Sequence, residues 1–257
     1  MDSHSPAGAP QSTVTIRVRR QDNPDSTPRW EIFEIPERPN MNVHMCLLEI
    51  QENPVTLEGT KTTPAAWEVC CLEEVCSSCT MVINGRARQA CSALVSTLEK
   101  PITIEPMTKF PVVRDLIVDR SRMFADLKKT KAWIPIDGTH ALGAGPRYSQ
   151  EEQLASYALT RCMTCGCCLE ACPQYGPGSA FVGPAVLNQV RRFNMHPTGA
   201  LNKGERLETV MGPGGVTDCG SAQVCEAVCP KEIPLLHSIA VTARDTTIHA
   251  LRRWFGF

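Results

Sequence analysis

The sequence lacks the features that define several large classes of protein. The 257 residues contain no apolar run that approaches the roughly 18 consecutive residues of a transmembrane helix. Residues 1–11 are polar, without the apolar core of a signal peptide or the Arg-rich, acid-poor character of a transit peptide. The net charge of −1 shows no excess of either sign, so we expect no nucleic-acid partner. We therefore expect a reducing compartment, in which disulfides are rare.

Motifs for nucleotide binding and for nucleophilic catalysis are also missing. No Gly-rich dinucleotide fingerprint follows a strand pattern, so we expect this chain to hold no flavin or nicotinamide itself. No nucleophile–histidine arrangement is evident, and the six histidines show no spacing of paired metal ligands. The sequence therefore nominates no catalytic residue.

Cysteine is what the sequence has in quantity. Its 14 cysteines are about 5% of the 257 residues, below the roughly 8–10% of a small disulfide scaffold. A chain of this length can bury a core without cross-links. Such cysteines indicate metal or redox chemistry in a reducing compartment. Apart from Cys46, they fall into three groups, between Cys70 and Cys91, between Cys162 and Cys172, and between Cys219 and Cys229.

The hydrophobic pattern differs between the two halves of the chain. In the first half, period-2 alternation and turn signals predict strands over 14–18, 30–35, 81–83 and 102–104. Asn42 is placed to cap a short helix, and Asn84-Gly85 predicts a hairpin. In the second half, helical spacing predicts helices over 116–127, 154–158, 186–193 and 234–243. With the cysteine-free interval 92–161, this predicts an α+β protein of two domains, 13–115 and 116–257.

The first cysteine group predicts a [2Fe–2S] cluster. Its spacing is C-x4-C-x2-C-x11-C, and the first three positions match the plant-type ferredoxin spacing. The hairpin at Asn84-Gly85 would return the chain so that the fourth thiolate reaches the loop. A zinc site and four reduced core cysteines are the alternatives, although zinc more often uses separated C-x2-C pairs. The predicted ligands are Cys71, Cys76, Cys79 and Cys91.

The second group matches the bacterial ferredoxin run C-x2-C-x2-C-x3-C-P in full, ending at Cys172-Pro173. In that run the first three cysteines hold one [4Fe–4S] cluster, and the fourth holds a different cluster. The spacing therefore requires a second cluster, whose other ligands lie elsewhere in the chain.

The third group supplies these ligands but is one thiolate short. Laid backward from Cys229-Pro230, the same template puts Ala222 where the second cysteine belongs. If the fourth cysteine of each run binds the cluster of the other run, three thiolates remain for the second cluster. Three thiolates match a [3Fe–4S] cluster, and a [4Fe–4S] cluster with an open iron is the alternative. The predicted [4Fe–4S] ligands are Cys162, Cys165, Cys168 and Cys229, and the predicted [3Fe–4S] ligands are Cys172, Cys219 and Cys225. Cys46, Cys70 and Cys167 are assigned no iron.

Three clusters exceed the needs of one catalytic site and predict a one-electron relay. The arrangement resembles the iron–sulfur subunits of succinate:quinone oxidoreductases and fumarate reductases over residues 13–245. The connector 104–116 and the sequence Cys229-Pro230-Lys231 also match. The resemblance implies a β-grasp, plant-type ferredoxin domain followed by an all-helical, bacterial-ferredoxin-like domain. The family's [4Fe–4S] and [3Fe–4S] ligand sets coincide with those given above.

The resemblance also implies the partners and the direction of electron flow. Electrons pass from an FAD-containing flavoprotein subunit through [2Fe–2S], [4Fe–4S] and [3Fe–4S] to a quinone beside a cytochrome b-type membrane anchor. The expected location is the cytoplasmic face of a bacterial inner membrane, as a peripheral subunit. Succinate dehydrogenase is favoured, with fumarate reductase as the alternative direction. Two other interpretations are open. A relay subunit of another kind with paired ferredoxin runs would not account for the [2Fe–2S] loop, and a structural zinc protein would not account for Pro173 and Pro230.

Two positions depart from ubiquinone-linked relatives. These typically have Trp and His where this chain has Pro177 and Gly220, and the stretches 172–176 and 181–184 look more like the menaquinone-linked branch. The resemblance therefore implies menaquinone. Only Pro173 matches a quinone-side position of the family.

Overall fold

The computed structural model describes residues 12–134 and 147–256, so the polar segment 1–11 lies outside the described residues. The described residues form two packing units. One unit extends to Met107 and also includes Val112–Val118, and the other comprises Thr108–Pro111 and the residues from Asp119 onward. The limits 13–115 and 116–257 stay a prediction.

A five-stranded mixed sheet and a two-stranded ribbon form the β-structure of the first unit. In chain order the strands are β1 Thr13–Arg20, β2 Arg29–Pro36, β3 Thr80–Ile83, β4 Arg86–Gln89, β5 Ile102–Glu105, β6 Val112–Arg114 and β7 Ile117–Val118. The order in the five-stranded sheet is β2-β1-β5-β3-β4. Strand β1 pairs antiparallel with β2 and parallel with β5, whereas β3 pairs antiparallel with both β4 and β5. A short antiparallel ribbon, β6–β7, follows.

The core of this unit lies between the sheet and helix α1, Val43–Glu52. Val14, Ile16 and Val18 alternate inward along β1 and are buried, as their period-2 pattern predicts. Asn42 caps α1 by accepting a hydrogen bond from Met45 N at 2.9 Å. A mixed sheet with a helix packed against it is the predicted β-grasp arrangement.

A buried ion pair joins two distant parts of the first unit. Arg20 Nε donates to Asp115 Oδ1 at 2.9 Å, and both side chains are 0% exposed. Asp115 also accepts from the backbone N–H of Gln21 at 3.0 Å and of Ala66 at 2.9 Å. Glu31 is a second carboxylate partner of Arg20. The carboxylate of Asp115 thus accepts bonds from two segments, the end of β1 and the segment at Ala66, and it holds both to the β6–β7 ribbon.

All regular elements described from Asp119 onward are helices, as the second half of the sequence predicts. The longest described helix, α8 (Leu235–Phe255), packs against α5 (Pro184–Met195). At this contact Ser238 Oγ donates to Asn188 Oδ1 at 3.1 Å and accepts from Arg191 Nη1 at 3.2 Å. The α-helices are α2 Ser121–Lys129, α3 Gln150–Thr160, α4 Cys167–Ala171, α5 Pro184–Met195, α6 Lys203–Met211, α7 Val224–Ala227 and α8 Leu235–Phe255. Short 3-10 turns cover Val95–Thr97, Gly199–Asn202 and Val216–Asp218.

The start of one predicted helix is wrong. The pattern placed Leu116 on the helix that contains Met123, but α2 begins only at Ser121. Leu116 lies instead in the turn between β6 and β7, where Asp115 has φ +48° and the Leu116 N–H donates to Ala66 O at 3.1 Å. Apolar spacing does not record the long-range hydrogen bonds that hold this turn.

Candidate iron–sulfur cluster sites

The loop from Cys71 to Cys79 curls around its own sulfur atoms. Three of its non-glycine residues have left-handed backbone conformations, namely Leu72, Glu74 and Ser77, at φ +59°, +57° and +65°. Successive backbone N–H groups of such a loop can point to one side and form an anion-binding concavity. The Cys71 sulfur accepts from three of them, the N–H groups of Glu73 at 3.3 Å, Val75 at 3.4 Å and Cys76 at 3.4 Å.

Cys76 receives a hydroxyl as well as backbone donors. The Ser78 hydroxyl lies 3.4 Å from the Cys76 sulfur, and the backbone N–H of Cys71 lies at the same distance from it. The thiol of Cys76 donates to this hydroxyl, and the hydroxyl donates in turn once Cys76 is ionised; this hydrogen bond, followed by the backbone N–H groups, lowers the pKa of Cys76 to about 6. These donors favour a thiolate, which is the form that binds iron.

The β3–β4 hairpin brings the fourth predicted ligand to this loop. The Ala90 N–H donates to Cys79 O at 3.0 Å, which fastens the end of the hairpin beside the loop and places Cys91 near Cys79. Burial, and then the neighbouring Cys79, raises the pKa of Cys91 to about 12. A buried thiolate beside other thiolates is costly unless a cation is present. The iron ions of a cluster would supply that charge, so these four side chains fit a [2Fe–2S] cluster.

The two adjacent cysteines Cys70 and Cys71 differ in their surroundings. The Cys71 sulfur accepts three backbone hydrogen bonds, whereas the Cys70 side chain is exposed, and the nearby Cys76 is the first cause that raises its pKa. These surroundings favour Cys71 over Cys70 as a cluster ligand, as the motif spacing predicts.

Exchange of either cysteine for serine tests this distinction. We expect Cys71→Ser to lose most of the visible absorption and paramagnetic resonance of a [2Fe–2S] cluster, because a hydroxyl is a poorer ligand than a thiolate. Cys70→Ser should retain the iron content and the spectrum of the wild type. Loss of the cluster from Cys70→Ser alone would reverse the assignment.

A second set of cysteines lines one cavity between the start of α8 and the chain from the end of α3 to α4. Burial raises the pKa of Cys168 well above its ordinary value, and Cys165, Cys162 and Cys229 are the next causes in that order. Burial also raises the pKa of Cys162, although the Gln189 side chain donates to its sulfur and opposes this effect. The cysteines that line the cavity are Cys162, Cys165, Cys168 and Cys229.

A third set lines a separate cavity of about 320 Å³. Burial raises the pKa of Cys225 to about 11, and Cys172 and Cys219 are its thiol neighbours. Ala222 faces the same cavity from a loop in which Ser221 and Gln223 have left-handed conformations. Ile239, Ala240 and Ala243 of α8 close the other side. This cavity therefore has three cysteines in its lining, with an alanine where the ferredoxin template has a fourth.

The two cavities mix the cysteine groups as the ferredoxin template requires. Cys229, from the third group, lines the cavity of the second group, whereas Cys172, from the second group, lines the cavity with Cys219 and Cys225. These residues fit a four-thiolate and a three-thiolate cluster. As ligands of particular clusters they stay predictions.

The cysteines that were assigned no iron lie elsewhere. Cys46 lies on α1, where it is 0% exposed in the core, and burial raises its pKa to about 12. Cys167 is 0% exposed on α4 and lines neither cavity. A buried thiol without other thiols around a cavity behaves as a small apolar residue.

Sequence reasoning missed the groups that donate to the sulfurs. Ser78 and Gln189 show no motif of their own, and Gln189 lies on α5, distant in sequence from Cys162. For Ser78, its place two residues after Cys76 within the loop was an available signal. For Gln189 there was none, because the packing of α5 places it.

Two family models match the chain. A 2Fe-2S iron-sulfur cluster binding domain matches residues 15–125, and a 4Fe-4S dicluster domain matches residues 158–233. The succinate dehydrogenase iron-sulfur subunit of Bacillus subtilis is 58% identical over 96% of this chain and 97% of its own length. The chain belongs to the iron–sulfur subunit family of succinate dehydrogenases and fumarate reductases. It is thus a subunit of a succinate:quinone oxidoreductase, as predicted.

A more distant relative and a solved structure are also similar to this chain. The fumarate reductase iron-sulfur subunit of Wolinella succinogenes is 32% identical over 90% of this chain and 96% of its own length. A chain of the Mycobacterium smegmatis Sdh1 complex in the apo form has 24% identity and a TM-score of 0.75, covering 92% of this chain and 96% of that chain. This likeness confirms the α+β fold class. The two matched cluster domains overturn the alternative of a structural zinc protein.

Within residues 12–134 and 147–256, no helix combines the length and apolar character needed to span a bilayer.

Proposed function

We propose that this chain relays single electrons from an FAD-containing flavoprotein subunit to a membrane quinone in a succinate dehydrogenase. The observation that carries the proposal is the exchange of Cys172 and Cys229 between the two cavities of the helical unit. Cross-ligation of this kind would make the two clusters neighbours, and electron transfer between carriers needs short distances. When bound, the clusters supply one-electron carriers in the proposed order [2Fe–2S], [4Fe–4S], [3Fe–4S].

The residues of the chain would do three things for this relay. Their thiolates would hold the iron, their backbone N–H groups and side-chain donors would stabilise charge on the sulfurs, and apolar residues would limit water around the buried sites. The proposed domains 13–115 and 116–257 would carry one and two clusters. The proposed ligands are Cys71, Cys76, Cys79 and Cys91 for [2Fe–2S], Cys162, Cys165, Cys168 and Cys229 for [4Fe–4S], and Cys172, Cys219 and Cys225 for [3Fe–4S].

We propose menaquinone as the electron acceptor. The space beside Gly220, where the resemblance expects a histidine in ubiquinone-linked relatives, is taken by the Gln174 side chain. A Cβ atom added to Gly220 would lie only 2.5 Å from Gln174 Nε2. Gln174 also lines the cavity of about 320 Å³ that contains Ala222. This different polar surface supports a quinone other than ubiquinone.

The other proposed partner is a cytochrome b-type membrane anchor, which would hold the chain as a peripheral subunit on the cytoplasmic face of a bacterial inner membrane. The end of α8 supports a docking role, since Trp254 is 85% exposed and follows Arg252 and Arg253.

Fumarate reduction is the second candidate direction of the reaction. The chain is 58% identical to a succinate dehydrogenase subunit and 32% identical to a fumarate reductase subunit, so the comparison favours succinate oxidation.

The amount of iron tests the three-cluster relay. We expect about nine non-haem irons per chain in the assembled complex, with matching acid-labile sulfide. The oxidised sample should show the paramagnetic resonance of a [3Fe–4S] cluster, and reduction should reveal [2Fe–2S]. About ten irons with no signal from the oxidised sample would contradict the three-thiolate site.

A further inference from the structure

Glu74 connects the [2Fe–2S] loop to the segment that carries the fourth proposed ligand. Its carboxylate accepts a hydrogen bond from Ser92 Oγ, with 2.7 Å between the oxygens. Its backbone N–H donates to the sulfur of Cys91 and opposes the rise in the Cys91 pKa. One residue between Cys71 and Cys76 thus makes two bonds to the Cys91–Ser92 dipeptide.

The backbone conformation of Glu74 makes both bonds possible. Its φ of +57° lies in the left-handed region, which costs energy for a residue with a side chain. The preceding residue, Glu73, provides the contrast, since its side chain is exposed whereas that of Glu74 is partly buried. The same loop therefore holds one carboxylate that a hydrogen bond fixes to Ser92, the residue after Cys91, and one that is exposed to solvent.

We propose that Glu74 is a positioning residue that fixes Cys91 and also holds a negative charge at the [2Fe–2S] site, making its reduction potential more negative. The inference rests on the proposed function, because it requires the cluster to be present. Addition of an electron next to a fixed negative charge is unfavourable, and partial burial weakens the screening that water provides. An exposed carboxylate in the same loop exerts less effect because solvent screens it.

Three variants of the assembled complex separate charge from position. Glu74→Gln removes the charge but keeps a side-chain oxygen that can accept from Ser92. We expect the midpoint potential of [2Fe–2S], followed by paramagnetic resonance during a redox titration, to become more positive with full iron content. Glu73→Gln changes the net charge equally and is the matched control, for which we expect a smaller shift.

Ser92→Ala tests the connection itself. We expect this variant to lose [2Fe–2S] iron to a chelator faster than the wild type, because the segment of Cys91 is held by one bond fewer. Its net charge is unchanged, so a faster loss of iron reports on position alone.

The outcomes distinguish this inference from the proposed function. A wild-type midpoint in Glu74→Gln, or equal shifts in Glu73→Gln and Glu74→Gln, would overturn the role of the fixed charge. Wild-type iron retention in Ser92→Ala would overturn the positioning role. If the wild-type complex itself shows no [2Fe–2S] signal, the proposed function fails.

Discussion

Replacement of Ala222 by cysteine is expected to raise the non-haem iron content from about nine to about ten per chain and to abolish the resonance of an oxidised [3Fe–4S] cluster. Ala222 lines the same cavity as Cys172, Cys219 and Cys225, and the ferredoxin template predicts the missing ligand at this residue. A thiolate at this position completes a four-thiolate set. Iron and sulfide analysis, together with resonance spectra of the oxidised and reduced complex, checks the result.

The control for this substitution adds a thiol outside both cavities. Ala158 lies on α3 and lines neither cavity, so Ala158→Cys should keep about nine irons and the signal of the oxidised cluster. If Ala222→Cys also keeps that signal at full occupancy, the loop does not direct residue 222 toward the cluster, and Ala222 does not mark the position of the missing ligand.

Replacement of Asp115 by alanine is expected to lower the free energy of unfolding by about 3–5 kcal/mol, the usual cost of removing one partner of a buried ion pair. Arg20, which is 0% exposed, would lose its fully buried carboxylate partner. Glu31 would be its one remaining carboxylate partner among the described residues. The N–H groups of Gln21 and Ala66 would also lose their acceptor. Urea unfolding of the purified chain, followed by circular dichroism, measures the change.

An exposed ion pair serves as the control for Asp115. Asp22 accepts from Arg29 Nη1 at 2.7 Å, but both side chains are largely in solvent. Exposed pairs contribute little because water and salt screen them, so Asp22→Ala should leave the unfolding midpoint unchanged. Equal effects of the two substitutions would show that burial of Arg20 is not what makes Asp115 important.

Much of the β-sheet unit could be predicted from local sequence. The alternation at Val14, Ile16 and Val18 directs one face of β1 inward wherever the strand packs, and Asn42 caps α1 through a bond to a residue three positions away. The helix predicted from Leu116 was wrong because that residue belongs to a turn whose hydrogen bonds reach Ala66 and Gln21, far away in the chain.

The sequence by itself determined the fold class and the family, because ligand spacing in a cluster loop is a local property. The interval between two cysteines decides whether one short loop can wrap an inorganic core, and the gap at Ala222 is visible without coordinates. The same spacing predicted the exchange of Cys172 and Cys229.

Only the tertiary structure decided which groups surround the sulfurs. The donors to Cys71, the Gln189 side chain on Cys162 and the contact of Glu74 with Ser92 depend on backbone direction and on the packing of segments distant in sequence. Arg20 and Asp115 likewise meet only because β1 and the β6–β7 ribbon are neighbours in the folded unit. Spacing along the chain determines what a loop can bind, whereas burial and hydrogen bonding, which tune the bound group, are determined by packing.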